Sequence, residues 1–118
     1  MSPRQMAALK AVAVILVVVA FASCTRPPTT VLRHKLRNLS LTDGVTEAEA
    51  RTIAQAYFDY HVGCGAFTGI RDGGHSWIVD GKFGYAGTPI QGFYIDKCSG
   101  KLTSPIGPSY DDPRKIYK

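Results

Sequence analysis

Residues 75–102, HSWIVDGKFGYAGTPIQGFYIDKCSGKL, constrain the fold more than any other stretch of this chain. They hold the only tryptophan, four of the eleven Phe and Tyr residues and one of the three cysteines, so any core must be built on them. Ser76-Trp77-Ile78-Val79-Asp80 is rich in β-formers and reads as a strand. The run Gly81 to Gly87 reads as a loop with three glycines, and Pro89 fits only the edge or start of a strand. From Gln91 to Lys97 the pattern alternates, with Phe93 and Ile95 on one face and Tyr94 and Asp96 on the other. Residues 96–101, DKCSGK, then read as a tight turn into a strand from Leu102 to Ile106.

Upstream, the pattern is helical. Thr46 with Glu49 three residues on fits a capping box, and Glu47 and Glu49 lie where the helix dipole favours anions. Ala50, Ile53, Ala54, Tyr57, Phe58 and His61 recur at helical spacing, while Arg51, Gln55 and Asp59 take the other side. Gly63 can supply the positive φ of a C-terminal cap, which predicts a helix from Glu47 to Val62. Ala66 to Ile70 is a further short strand, closed by the turn residues Asp72-Gly73-Gly74. The expected class is therefore α+β: one amphipathic helix on a three- to four-stranded antiparallel sheet, preceded by a signal peptide and a tether. The divisions expected are 1–23 signal peptide, 24–45 tether, 46–110 domain and 111–118 polar tail.

The first two dozen residues carry an export signal. Arg4 and Lys10 precede an uncharged apolar run from Ala11 to Ala22. Twelve residues make about 18 Å of helix against a hydrocarbon core of about 30 Å, which suits a signal-peptide h-region better than a permanent span. Phe21-Ala22-Ser23-Cys24 resembles a bacterial lipobox, with cleavage before a Cys24 that is then acylated; Phe21 replaces the usual Leu. Cleavage before Ser23, and an uncleaved anchor, remain the alternatives. Thr25 after the cysteine favours the outer membrane, by resemblance to enterobacterial sorting rules. Acylation of Cys24 would also leave an even pair, Cys64 and Cys98, expected to form a disulfide in an oxidising envelope. Closing that loop of about 35 residues would add roughly 3–4 kcal/mol; two unpaired cysteines are the alternative. Losing Arg4 and Lys10 lowers the net charge from +5 to +3, with 12 basic residues left against 9 acidic, too little to argue nucleic-acid binding.

Between anchor and domain, Pro27-Pro28 and the flanking threonines read as an extended tether. Arg33, His34, Lys35 and Arg37 form a basic cluster, read either as a solvated linker or as contacts to anionic head groups worth about 1 kcal/mol per charge. Val31, Leu32, Leu36, Leu39 and Leu41 could pack a short helix or an edge strand on the domain.

No catalytic set stands out. His34, His61 and His75 share no metal-ligand spacing and no Cys-x-x-Cys is present, so no metal and no cofactor are expected. His61 is expected to pack or cap the helix end. Cys64 could act as a nucleophile with His61 or His75 only if Cys98 left its thiol free. Asp80 and Asp96, on candidate neighbouring strands, could approach each other, but two carboxylates in catalysis need a sheltered cleft; Asp72, Asp80 and Asp96 fit turn and solvent-face roles. Phe83 and Tyr85 place two aromatics on a glycine loop. Phe83 reads as core, Tyr85 as core or interface anchor, and with Tyr94 they are the candidate partner-binding residues.

The order helix, Trp-Ile-Val-Asp-Gly strand, glycine-proline loop and aromatic strand resembles the small NTF2-fold immunity proteins, through Trp77, Val79, Gly81, Gly87, Pro89, Tyr94, Ile95, Gly100 and Lys101 over residues 46–106. Ile95-Asp96-Lys97-Cys98-Ser99-Gly100-Lys101 is similar also to the end of a PepSY repeat, with Ser99 in the threonine position. The first resemblance implies a non-enzymatic periplasmic lipoprotein that binds a protein, with a periplasmic toxin as the partner it would neutralise. The second implies a peptidase-modulating module. A structural envelope lipoprotein without a discrete ligand is the third expectation.

Overall fold

The structure, a computed structural model, describes residues 27–118. The export segment and Cys24 lie outside the described residues. Two helices, α1 (Thr29–Arg37) and α2 (Glu47–His61), precede five strands: β1 (Gly65–Asp72), β2 (Ser76–Phe83), β3 (Thr88–Pro89), β4 (Tyr94–Asp96) and β5 (Leu102–Thr103). A 3-10 turn, Pro113–Lys115, ends the chain. The class is α+β, with one antiparallel sheet in the order β1-β2-β4-β5; β3 pairs the rest of the β2 edge.

The α2 N-terminus forms for the reason its sequence states. Thr46 Oγ1 accepts from the Glu49 amide at 3.2 Å, and Glu49 Oε1 accepts from the Thr46 amide at 3.0 Å. One face of α2 is then laid on β1 and β2. Tyr57 meets Phe93 edge-on at 5.0 Å, and Phe58 stacks on Phe93 at 6.0 Å. Val79, Ile95 and Leu102 complete the inner face of the sheet, all at most 1% exposed. Among the described residues every buried side-chain nitrogen and oxygen has a hydrogen-bond partner. The sole tryptophan shows how: Trp77 Nε1 donates to the Val45 carbonyl at 2.9 Å, which ties β2 to the chain entering α2.

Three expectations are corrected. Part of the expected tether is helix: Leu32 and Leu36, one turn apart on α1, are 1% exposed against α2. Two buried leucines contribute about 1.5–3 kcal/mol each, enough to hold a short helix that would not persist alone. The expected polar tail is also part of the core, since Pro113 and Ile116 are fully buried. The loop predicted from Gly81 begins only after Phe83, because Gly81 is a strand residue under the Phe58 ring. A Cβ there would lie 2.6 Å from Phe58 Cζ and 2.9 Å from the Ala66 carbonyl, so the glycine serves close approach rather than a turn.

Candidate functional site

The β2–β3 connection is the first candidate. Phe83 pairs with Thr88, and residues 84–87 close the turn between them. Gly84 and Gly87 adopt φ of 75° and 66°, conformations that a Cβ would strain, and the Gly87 amide donates to the Gly84 carbonyl at 3.2 Å. Tyr85 therefore stands at the tip, 99% exposed. Phe83, expected in the core, is 38% exposed instead: it shares the inner face with Val79 and Gly81 but lies at the strand end, where the helical cover stops. This tip offers two aromatic rings on a short, conformationally constrained turn and no acid, base or nucleophile.

Tyr94 does not join them. It pairs with Ile78, five positions from Phe83 along β2, about 17 Å at strand rise. It also faces the opposite side of the sheet, in a row that runs Arg71, Ile78, Tyr94, Thr103 across four strands. Of that row Arg71, Tyr94 and Thr103 are exposed and Ile78 is half-buried. Beside it, Arg71 grips Asp80 with two bonds, Nε to Oδ2 at 2.6 Å and Nη2 to Oδ1 at 2.9 Å.

The carboxylates have separate structural tasks. Asp96 lies opposite Ser76, about 13 Å along the strand from Asp80, so the two make no catalytic pair. Asp96 Oδ1 accepts from the amides of Ser99 and Cys98 at 2.8 and 2.9 Å, and these bonds hold its carboxyl below the usual range. Asp72 is lowered chiefly by Lys97, whose ammonium also sits 4.4 Å from the centre of the Trp77 ring.

Cys64 and Cys98, expected to be bridged, are both exposed free thiols. Cys64 precedes β1 at the Phe83 end of β2, and Cys98 follows β4 at the Ser76 end. Eight-residue β2 separates those ends by about 23 Å, whereas a disulfide needs Cα atoms within about 7 Å. His61 does not serve Cys64 either. Its Nε2 lies 2.6 Å from the Tyr110 hydroxyl, inside an aromatic cluster with Tyr57 and Tyr60, and burial pushes its pKa down. Among the described residues no group of three or more His, Cys, Asp or Glu gathers where a metal could sit.

The second candidate is assembled from both ends of the described chain. A groove of about 470 Å³ runs between α1 and the 3-10 turn, lined by Arg33, Arg37, Arg114, Lys115 and Lys118, with Leu36 and Tyr117 as apolar wall. Asp112 is the one carboxylate in its lining, and it holds Arg114 through two bonds at 2.9 and 3.0 Å. The Arg33 guanidinium stands 5.1 Å from the centre of the Tyr117 ring. Sequence reasoning had half of this site: it singled out the Arg33, His34, Lys35 and Arg37 cluster, with anionic head groups as one reading. The i, i+4 spacing of Arg33 and Arg37 was visible, but nothing local says that residues 114–118 fold back beside them.

Set against protein-family models, curated proteins and solved structures, the chain has no match. The fold and the two surfaces therefore define a small α+β module that carries an aromatic tip on the β2–β3 turn and a cationic groove between α1 and the 3-10 turn.

Proposed function

We propose that the protein is a non-enzymatic envelope lipoprotein, anchored through Cys24, that docks a protein through the β2–β3 tip. The observation that carries this reading is Tyr85, a fully solvated aromatic at the tip of a turn whose glycines supply the positive φ that the bend needs. Burying such a ring in a partner's pocket gains large apolar area at small side-chain entropy cost, which is how interface anchors work. A toxin delivered to the periplasm, blocked at its active site, is the partner class that the resemblance to immunity proteins suggests. The outer-membrane side of the periplasm is the expected address.

The test is site-specific photo-crosslinking in living cells. A benzophenone side chain at position 85 should trap one discrete protein species, and the same probe at Gln91, outside the tip, should not. Identical traces from both positions would remove the tip as a docking element. Cys24→Ser should abolish incorporation of labelled palmitate and leave precursor in the inner membrane; label retained by the variant would remove the lipoprotein assignment alone.

A further inference from the structure

The groove between α1 and the 3-10 turn has features that protein docking at the β2–β3 tip does not use. Five cationic side chains line it against one carboxylate, a local balance of +4, or +3 if a terminal carboxylate on Lys118 is counted. Asp59 lies behind the wall, accepting from Tyr117 Oη at 3.0 Å and from Thr29 Oγ1 at 2.8 Å. Among the described residues, Arg33, Arg37, Lys115 and Lys118 have no carboxylate within ion-pair distance, and only Arg114 is matched. The α1 dipole explains a cation at Arg37, in the last turn, but not the three brought in by the tail. Like charges gathered around a concave, partly apolar wall repel one another unless an anion joins them.

We infer that this groove binds the phosphate of an anionic lipid head group. Charge complementarity gives the chemistry: guanidinium forks take phosphate oxygens bidentately, and lysines add mobile donors. Chain length favours the lipid source. Five residues separate Cys24 from Thr29, at most about 17 Å of extended chain, and Arg33 lies one helical turn, about 6 Å, further on. A chain held to a membrane by its first two dozen residues cannot carry this groove far from the head groups. Tyr117 would meet the glycerol region while the cations take the phosphate. The inference rests on membrane attachment and not on the identity of any protein partner.

Amine reactivity tests the assignment on the full chain. The protein is carried on vesicles of phosphatidylcholine alone, or of phosphatidylcholine mixed with phosphatidylglycerol, and flotation reports attachment separately. Labelling by an amine-reactive ester is then followed residue by residue. Lys115 and Lys118 should label several-fold more slowly on the phosphatidylglycerol vesicles, with the difference lost in high salt, while Lys82, near the tip, changes little. An Arg33→Gln/Arg37→Gln variant, altered only at exposed positions, should lose the difference while keeping its Trp77 emission. Three results would overturn the inference: equal labelling on both vesicles, uniform slowing of all lysines, or protection that survives in the variant. Equal protection by inorganic phosphate on neutral vesicles would assign the groove to a soluble anion and remove the lipid.

Discussion

The aromatic tip and the cationic groove present opposite chemistry and are held by opposite means. The β2–β3 tip is uncharged at its apex and is built by one contiguous turn, whose shape follows from two glycines and one strand pair. The cationic groove is built by packing: α1 is pinned by Leu32 and Leu36, and the 3-10 turn by Pro113 and Ile116. A locally encoded surface tolerates changes elsewhere in the domain. A surface assembled from segments about eighty residues apart is only as firm as the core beneath it.

The sharpest way to break this contrast is Ile116→Ala. Ile116 is completely buried beneath the groove, and removing its side chain should cost about 2–5 kcal/mol, read as a lower urea midpoint of Trp77 fluorescence. The variant should also raise amine reactivity at Lys115 and Lys118 while leaving crosslinking from position 85 intact. Loss of the position-85 crosslink under conditions where the domain is still folded would show that tip and groove are mechanically coupled.

Acid should act on the packing beside the groove, where Tyr117 meets Tyr60, the neighbour of His61. The His61 pKa is lowered from its ordinary 6.5 by burial, so the folded state favours the neutral ring. Above 6.5 this costs nothing; as pH falls, the unfolded chain takes the proton first, and stability is lost down to the lowered folded value. The lowered carboxylates Asp72, Asp96 and Asp112 act by the same sign only nearer their ordinary 3.8. The urea midpoint should therefore fall between pH 7 and pH 5, and His61→Gln should flatten that dependence. A wild-type midpoint unchanged over this interval would mean that the His61–Tyr110 contact opens readily to solvent.

At the tip, Tyr85→Ser should move stability by no more than about 0.5 kcal/mol, because the ring touches no core, while abolishing partner capture. A stability loss beyond that would place the ring against the domain and weaken its use as an anchor.

The same contrast explains what could be read from the chain. The α2 cap was legible because Thr46 and Glu49 interact across three residues, and the core strands were legible from alternation. Gly81 was misread because its reason, the Phe58 ring, lies in another element. The α1 helix carries its leucine spacing openly, yet Pro27-Pro28 and the threonines suggested a tether; only tertiary burial decides between the two. The basic tail reads as solvated until Ile116 is seen inside. Phe83, Tyr85 and Tyr94 were picked out as candidate partner-binding aromatics, with Phe83 expected in the core and Tyr85 left between core and interface, but which face and strand end each occupies depends on register, and they form no single patch.

Cysteine pairing is where counting and geometry part. Parity argued for a bridge between Cys64 and Cys98, but parity carries no distance, and the β1-β2-β4 register puts the two thiols at opposite ends of β2. No disulfide should therefore link the two ends of β2, and adding reductant should leave the melting temperature of the monomer where it was. A bridge would have contributed about 3–4 kcal/mol, a difference no melting curve would miss. Thiol titration of the native protein adds a count. Both domain cysteines are exposed, so two should react rapidly if Cys24 is acylated. A melting point that drops on reduction, with fewer than two thiols reacting, would require Cys98 to approach Cys64. No slip of one or two residues achieves that over about 23 Å of strand, so the pairing of β4 with β2 would itself have to be wrong.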